Sequence, residues 1–155
     1  MLSNKAKYGL KALLYLAARG EPGPVGILEI AQGQNIPKKF LDAILLELRR
    51  SGVVHSRKGR GGGYVLAKPA GDISVGRVIR VLDGPLAPIA CASKTAYRPC
   101  PDCDVKNCQT RKLMQRVRDA MSEILDQTSL AEMLLLSDKG SVRATGEVAR
   151  AQLPE

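Results

Sequence analysis

Apolar and polar positions in the first part of the chain follow the period of amphipathic helices separated by short turns. Residues 3–19 carry apolar side chains at helical spacing, with Ser3 suited to cap the start and Gly20 to end the helix. A shorter helix is predicted over residues 27–31, and a turn over 33–35, where glycine and asparagine interrupt the pattern. These residues therefore predict a helical domain.

The next helix completes a helix-turn-helix. It begins at Pro37, a residue favoured in a first turn, and ends near Ser51. Lys38, Lys39 and Asp42 lie off its apolar stripe and close to its N-terminus. Since such motifs insert this end into the major groove, these side chains are candidate DNA contacts.

A glycine-rich hairpin follows. Two β-prone runs, 53–56 and 64–67, flank a loop whose cations suit phosphates or a narrow minor groove, and whose glycines allow a close approach to DNA. The candidate DNA-binding residues of this loop are Arg57, Lys58, Arg60 and Gly61. A nucleotide-binding loop would instead end in GKS or GKT and lead into a helix, and the sequence has neither feature.

The second half of the chain contains a further helix over 74–82 and a long one from about 108 to 127. The long helix has a broad apolar band formed by Leu113, Met114, Val117, Ala120, Met121, Ile124 and Leu125. That band is wide enough to face both its own domain and a partner helix, although a helix packed only on its own domain remains an alternative. A capping box at 129–132 predicts one more short helix.

Charge is distributed unevenly along the 155 residues. Residues 1–70 hold 12 Lys and Arg against 4 Asp and Glu, a net of +8, whereas residues 71–155 hold 12 against 11, a net of +1. The basic half suits a polyanion, either a nucleic acid or an anionic membrane. With no Trp, one Phe and four Tyr there is little material for stacking unpaired bases, so double-stranded DNA is the predicted partner and Lys5 a candidate phosphate contact.

No apolar run approaches the ~20 residues that span a bilayer, and the first residues lack the order of a signal peptide. A cytoplasmic location is therefore expected, with no membrane partner. In that reducing compartment clustered cysteines are more often metal ligands or redox sensors than disulfides.

All four cysteines fall within the segment CASKTAYRPCPDCDVKNC, with the spacing C-x8-C-x2-C-x4-C. The candidate metal ligands are Cys91, Cys100, Cys103 and Cys108. An iron-sulfur cluster of unspecified type is favoured, because C-x2-C-x4-C matches a plant-type ferredoxin spacing in reverse. Zinc and cofactor-free thiols remain alternatives, although zinc sites usually have two short knuckles and this segment has one.

Four blocks of the sequence carry a family resemblance that extends from residue 1 to about 136. They are MLSNKAKYGLKALLYLA, ILEIAQGQNIPKKFLDAILLELRRSGVV, SRKGRGGGYVLAKP and ISVGRVIRVLDGP. Together they resemble the bacterial winged-helix regulators that include IscR, NsrR and CymR. The resemblance implies a homodimeric transcription factor on a palindromic operator, with the long C-terminal helix as dimer contact and the cysteine loop as sensor.

The resemblance also implies particular DNA contacts, which match Lys38, Phe40 and Asp42 in the recognition helix and Lys58 in the wing. A carboxylate such as that of Asp42 can accept a hydrogen bond from the N4 amine of cytosine. The well-studied cluster-binding relatives use three cysteines and a non-cysteine ligand, whereas this chain has a fourth cysteine and a different spacing. Some relatives carry no cluster.

The predicted fold is mainly α with a small β wing. We expect a winged helix-turn-helix domain over 1–84, a cysteine-rich sensor loop over 85–107, a dimerisation helix and a short following helix over 108–136, and a disordered tail over 137–155. The predicted function is DNA-binding transcriptional regulation, not an enzyme and without a small-molecule substrate. The rival from another class is a small iron-sulfur or thiol redox protein using the CxxC at 100–103, but no βαβ unit is visible.

Overall fold

The computed structural model describes residues 2–20 and 23–136. The helices are α1 (Asn4–Arg19), α2 (Ile27–Gln34), α3 (Lys38–Arg50), α4 (Val75–Asp83), α5 (Gln109–Gln127) and α6 (Leu130–Leu135), and the strands are β1 (Val54–Arg57) and β2 (Gly63–Leu66). The predicted fold class, mainly α with a β wing, is confirmed. Among these residues no helix is both long and apolar enough to cross a membrane. The predicted tail over 137–155 lies outside the described residues.

Local capping signals fix most helix ends where the sequence predicts them. The Ser3 hydroxyl accepts a hydrogen bond from the Ala6 amide at 3.0 Å, and Gly20 ends α1 in the left-handed conformation. Ser129 and Glu132 form the predicted capping box of α6. These contacts satisfy amides that a helix end otherwise leaves unpaired.

The predicted turn over 33–35 is too long. Helix α2 continues through Gly33 and Gln34, and only Asn35 takes the left-handed conformation, with φ of 51°. The Lys11 ammonium donates a hydrogen bond to the Gln34 carbonyl, which satisfies an acceptor at the end of α2. Asparagine tolerates the left-handed region better than most residues, so a single Asn is enough to end the helix.

Helix α1 lies at the centre of the winged domain and packs on α2, α3, α4 and α6. The largest fully buried side chains are Leu13, Ile30, Leu41, Leu45, Leu48, Leu130, Val53, Val54 and Val78. Gly9 allows α1 and α4 to approach closely, since a Cβ at this position would lie 2.3 Å from Leu82 Cδ1. One apolar core therefore fixes α3, the candidate recognition helix, relative to the other helices.

The C-terminal helices are attached to the same core. Leu130 of α6 is 0% exposed, and its amide donates to the Ile73 carbonyl at 3.0 Å. Helix α5 lies against α4, where Arg80 Nη2 and Asp126 Oδ2 are 2.8 Å apart. This ion pair lowers the pKa of Asp126, chiefly through the hydrogen bond from Arg80.

Helix α5 has two apolar faces. Met114, Arg118, Met121 and Leu125 face inward and are buried or half-buried. A second row is exposed, and we call it the outer stripe: Leu113, Val117, Ala120 and Ile124. The broad band predicted from the sequence thus divides into one face toward its own domain and one face that the described part of the chain leaves uncovered.

We predict that Leu130→Ala destabilises the fold strongly, because it removes a fully buried side chain from the core. Such a substitution costs ~2–5 kcal/mol of unfolding free energy. The matched control is Leu135→Ala in the same helix, where the side chain is 62% exposed and the expected change is within about 0.5 kcal/mol. Urea denaturation followed by circular dichroism measures both, and equal losses would contradict the packing of α6 described above.

Candidate DNA-binding face and cysteine loop

The N-terminal part of α3 presents its polar side chains to solvent. Leu41, Ile44 and Leu45 of this helix are buried in the core, which turns the intervening positions outward. The exposed positions include Lys38, Lys39, Phe40 and Asp42. Phe40 is 60% exposed, so its apolar ring lies uncovered on this face.

Two ion pairs organise the charges on this face. Lys38 Nζ lies 2.8 Å from Asp42 Oδ2, one helical turn away, and Lys5 Nζ lies 2.7 Å from Glu47 Oε2. All four side chains are more than a third exposed. Pro37 caps α3 without a side-chain hydrogen bond, so the first amides and the positive end of the helix dipole face the same region. Each feature is compatible with an approaching phosphate backbone.

A shallow apolar groove of about 420 Å³ lies between α1 and α3 on this face. Its lining is Asn4, Lys5, Tyr8, Phe40, Ala43 and Ile44. Sequence reasoning missed Asn4 and Tyr8. Asn4 and Tyr8 are four residues apart and flank Lys5, a spacing that places all three close together on the surface of α1 and could have indicated them.

The wing is a two-stranded antiparallel hairpin in which Arg57 pairs with Gly63. Tyr64 also forms an isolated bridge with Val25, which anchors the hairpin to the helical domain. Gly63 is required there, because a Cβ would lie 2.2 Å from the Val25 carbonyl oxygen. The predicted wing residues Arg57, Lys58, Arg60 and Gly61 are all exposed at the tip.

The start of the wing is also attached to the recognition helix. Arg49 Nη1 at the end of α3 donates to the Ser56 hydroxyl of β1 at 3.2 Å. The wing is therefore held against the C-terminal end of α3 by a side-chain hydrogen bond.

Cys91 and Cys108 both lie beside Arg111. Cys91 is buried in a short 3-10 turn, Ala90–Ala92, and its carbonyl accepts a hydrogen bond from Arg111 Nε at 2.8 Å. Cys108 is the N-cap of α5, and its sulfur accepts from the Arg111 amide at 3.4 Å.

The other end of the cysteine loop brings three thiols into contact. Hydrogen-bonding contact with Cys100, together with partial loss of water and contact with Cys108, raises the pKa of Cys103 to about 12. The Cys100 thiol also donates to Asp102 Oδ1 at 2.9 Å, and this bond lowers the pKa of the Asp102 carboxyl.

Asp104 shapes the loop between Cys103 and Cys108. Its carboxylate accepts hydrogen bonds from the Asn107 side chain at 2.6 Å and from the Lys106 amide at 3.0 Å. These bonds lower the pKa of Asp104, and the Asn107 side chain is the main cause. They form a local turn that returns the chain to the start of α5.

The donor set fits a metal group held by thiolates. Four thiols lie in one segment, and three of them interact. However, within residues 2–20 and 23–136 no three His, Cys, Asp or Glu side chains already converge as metal ligands.

Comparison with known proteins decides the family. A family model described as "Rrf2: Iron-dependent Transcriptional regulator" matches residues 2–135. The chain belongs to the Rrf2 family. Its match with an rrf2-like HTH-type transcriptional regulator of Rhodobacter capsulatus is 45% identical over 138 residues, covering 86% of this chain and 92% of that protein.

Two named Rrf2-type regulators have similar solved structures. CymR, the global cysteine regulator of Bacillus subtilis, is 34% identical with a TM-score of 0.73, over 88% of this chain and 97% of that one. IscR of T. potens is 32% identical with a TM-score of 0.69, over 94% of this chain and 93% of that one. These relatives are transcriptional regulators, so this Rrf2 protein is a helix-turn-helix regulator and not the redox enzyme considered as the rival.

In this Rrf2 protein the structure brings Cys103 into contact with Cys100 and Cys108, and it buries Cys91 in a short turn that is bonded to Arg111. Sequence reasoning missed Arg111 and Arg118, which attach the segment after Cys91 to α5. One signal was available for Arg118: it interrupts an apolar row of α5 at heptad spacing, between Met114 and Met121.

We predict that Lys58→Ala weakens binding to duplex DNA and lowers its salt dependence. Removing one phosphate contact reduces the slope of log affinity against log salt by about one per half-site. Lys112→Ala is the matched control, because it removes the same charge from an exposed position on α5. Fluorescence anisotropy at a series of salt concentrations measures both slopes, and identical behaviour of the two variants would argue against the wing as a DNA contact.

Proposed function

We propose that this Rrf2 regulator binds a palindromic operator as a homodimer, and that an iron-sulfur cluster held by its cysteines controls the binding. The observation that carries the proposal is the position of the cysteine loop. It connects α4, which packs on the winged domain, to α5, which presents an uncovered apolar stripe. A change in the loop therefore acts between the DNA-binding unit and the candidate dimer contact.

The outer stripe supports a second copy of the chain as the partner of α5. Leu113, Val117, Ala120 and Ile124 follow one another at gaps of four, three and four residues. This is the spacing of a seam between packed helices. Contiguous exposed apolar side chains of this kind are uncommon on monomeric proteins and typically mark an interface.

A two-fold dimer would present two copies of α3 to successive turns of the major groove. Binding sites for such dimers are palindromic, because the symmetry of the protein is matched by the DNA. In each half-site Lys38, Lys39 and Lys5 would meet phosphates, with Phe40 and Asp42 available for base edges. Arg57, Lys58, Arg60 and Gly61 would contact the flanking backbone or minor groove.

For the cofactor, Cys91, Cys100, Cys103 and Cys108 are the residues that would hold it. A bound cluster supplies metal-thiolate bonds that are sensitive to oxidants and to iron supply. Moving a two-state equilibrium from 1:99 to 99:1 needs a differential of ~5.5 kcal/mol. The binding free energy of structural metal sites reaches ~10 kcal/mol or more. Ligation by the loop would therefore be sufficient to set the conformation of the loop.

A second candidate is control by the thiols without a metal. Contact among Cys100, Cys103 and Cys108 favours it, since neighbouring thiols can form a disulfide under oxidation. CymR of Staphylococcus aureus, 30% identical with a TM-score of 0.67, has been solved in an oxidized form. A disulfide contributes ~2–4 kcal/mol of stabilising free energy, which is less than the ~5.5 kcal/mol needed to move a two-state equilibrium from 1:99 to 99:1. Zinc is a third possible occupant.

The dimer can be tested by placing a charge on the outer stripe. We predict that Val117→Glu weakens self-association at least about tenfold, because it buries a charge at the centre of the proposed seam. Lys112→Glu is the control, since it changes the charge by more but lies off the stripe. Sedimentation velocity over a range of concentrations measures both, and a Val117→Glu protein that stays dimeric would exclude this face as the interface.

The cofactor can be tested by metal and sulfide analysis of protein purified without oxygen. We predict iron and sulfide near stoichiometry with visible absorption, both lost in Cys103→Ser and retained in Thr95→Ala, an exposed position in the same loop. Operator affinity should then differ between the loaded and the metal-free protein. A colourless protein containing zinc, or four free thiols that oxidise to a disulfide, would replace the cluster with one of the alternatives.

A further inference from the structure

A buried arginine attaches the segment after Cys91 to helix α5. Arg118 is 9% exposed, and in the described part of the chain Ser93 is the other buried polar residue. Arg118 Nη1 donates to the Ala92 carbonyl, while Arg118 Nε and Nη2 donate to Asp119 Oδ1 at 2.9 and 2.7 Å. A buried guanidinium is costly unless its donors are satisfied, so these contacts are specific and not incidental packing.

The Asp119 carboxylate also contacts the segment after Cys91. Lys94 Nζ lies 3.1 Å from Asp119 Oδ1. Ser93, which is buried between the two contacts, accepts a hydrogen bond from the Ala96 amide at 3.0 Å. Arg118 and Asp119 thus hold the segment at two points, by its Ala92 carbonyl and by its Lys94 ammonium.

A second arginine, about two helical turns earlier on the same side of α5, completes the attachment. Arg111 Nε donates to the Cys91 carbonyl at 2.8 Å, and its guanidinium lies 5.8 Å from the centre of the Tyr97 ring. We call residues 91–97 the Cys91 strap. Cys91 and Tyr97, at the two ends of the strap, lie beside Arg111, whereas Ala92 contacts Arg118 and Lys94 contacts Asp119.

The strap has a direct consequence for the four thiols. Cys91 is fixed on α5 by backbone contacts of its own carbonyl and of the next one, whereas Cys100 and Cys103 lie in the loop before the helix. Any displacement of Cys91 that accompanies a change at the four cysteines would therefore pull on the bonds to Arg111 and Arg118. Any such pull acts on the inner face of α5, opposite the outer stripe.

We propose that Arg118, assisted by Arg111, is the positioning residue that holds the Cys91 strap on α5 and transmits a change at the cysteines to that helix. The inference rests on the proposed function, in which the cysteine loop controls operator binding. It adds that the connection runs through two arginine-carbonyl contacts in addition to the covalent link at Cys108.

The first experiment measures the attachment without any cofactor. The full-length reduced, metal-free chain is treated with N-ethylmaleimide, and modification of each cysteine is followed by peptide mass spectrometry. The buried Cys91 should react slowest. Arg118→Met and Arg111→Gln should each raise its rate about tenfold, because each removes a charged hydrogen bond. Lys112→Met, an exposed neighbour on α5, should leave the rate unchanged. A wild-type rate in both arginine variants overturns the inference.

The second experiment measures the transmission. Operator affinity is compared between the iron-loaded and the metal-free protein, for wild type, Arg118→Met and Lys112→Met. In Arg118→Met the ratio should fall to about one from a wild-type value within the ~5- to 150-fold range of allosteric coupling. Self-association should be unchanged, because Arg118 faces away from the outer stripe.

The outcomes separate the two proposals. A full wild-type ratio in Arg118→Met, with iron content and dimer intact, overturns transmission through Arg118. A ratio of one in the wild type overturns control of DNA binding by the loop, and transmission with it. In that case faster labelling of Cys91 in the arginine variants would still support the attachment of the strap.

Discussion

Helix α5 packs against α4 and the Cys91 strap with one face and exposes an apolar stripe on another. The arrangement of the rest of the C-terminal half depends on this division of a single helical surface. With about 3.6 residues per turn, positions 114, 118, 121 and 125 share one face and positions 113, 117, 120 and 124 another. The first face packs on α4 and the Cys91 strap, and the second remains exposed. Because both faces belong to one rigid helix, a displacement at the inner face is also a displacement of the outer one.

The candidate DNA-binding face combines a rigid support with weak ion pairs. The core fixes α3, and Gly63 lets the wing approach Val25 closely. By contrast, Lys38–Asp42 and Lys5–Glu47 are exposed ion pairs, each worth only ~0–1 kcal/mol. Exchanging such a pair for a phosphate contact costs little. The backbone geometry is therefore set in advance, while the charges remain free to rearrange.

Local signals in the sequence predicted most of the fold, because caps and turns depend on adjacent residues. Ser3, Pro37 and the capping box at Ser129 fix helix ends through contacts within a few residues. The turn over 33–35 was predicted too long because Gly33 weakens a helix only slightly, and Tyr15 packs where its Cβ would be. The apolar period of α3 left Lys38, Lys39 and Asp42 off the core stripe, and these positions are exposed.

The arrangement of the cysteines could not be predicted in this way. Their spacing indicated the donor set, but the attachment of the Cys91 strap to α5 depends on Arg111 and Arg118, which lie 20 and 26 residues from their acceptors. Spacing along the chain contains no information on such contacts. An arginine on an apolar row was visible, but its acceptor, the Ala92 carbonyl, is a backbone atom that no side-chain pattern identifies.

The attachment of the Cys91 strap also bears on the energetics of any event that displaces Cys91. Such a displacement would act on the hydrogen bonds that Arg111 and Arg118 donate to the Cys91 and Ala92 carbonyls. Each charged hydrogen bond lost from a buried site costs ~1.5–3 kcal/mol, which is smaller than the ~10 kcal/mol of free energy available from metal ligation and comparable to the ~2–4 kcal/mol of a disulfide. A displacement that breaks both bonds would therefore be offset more readily by metal ligation than by a disulfide.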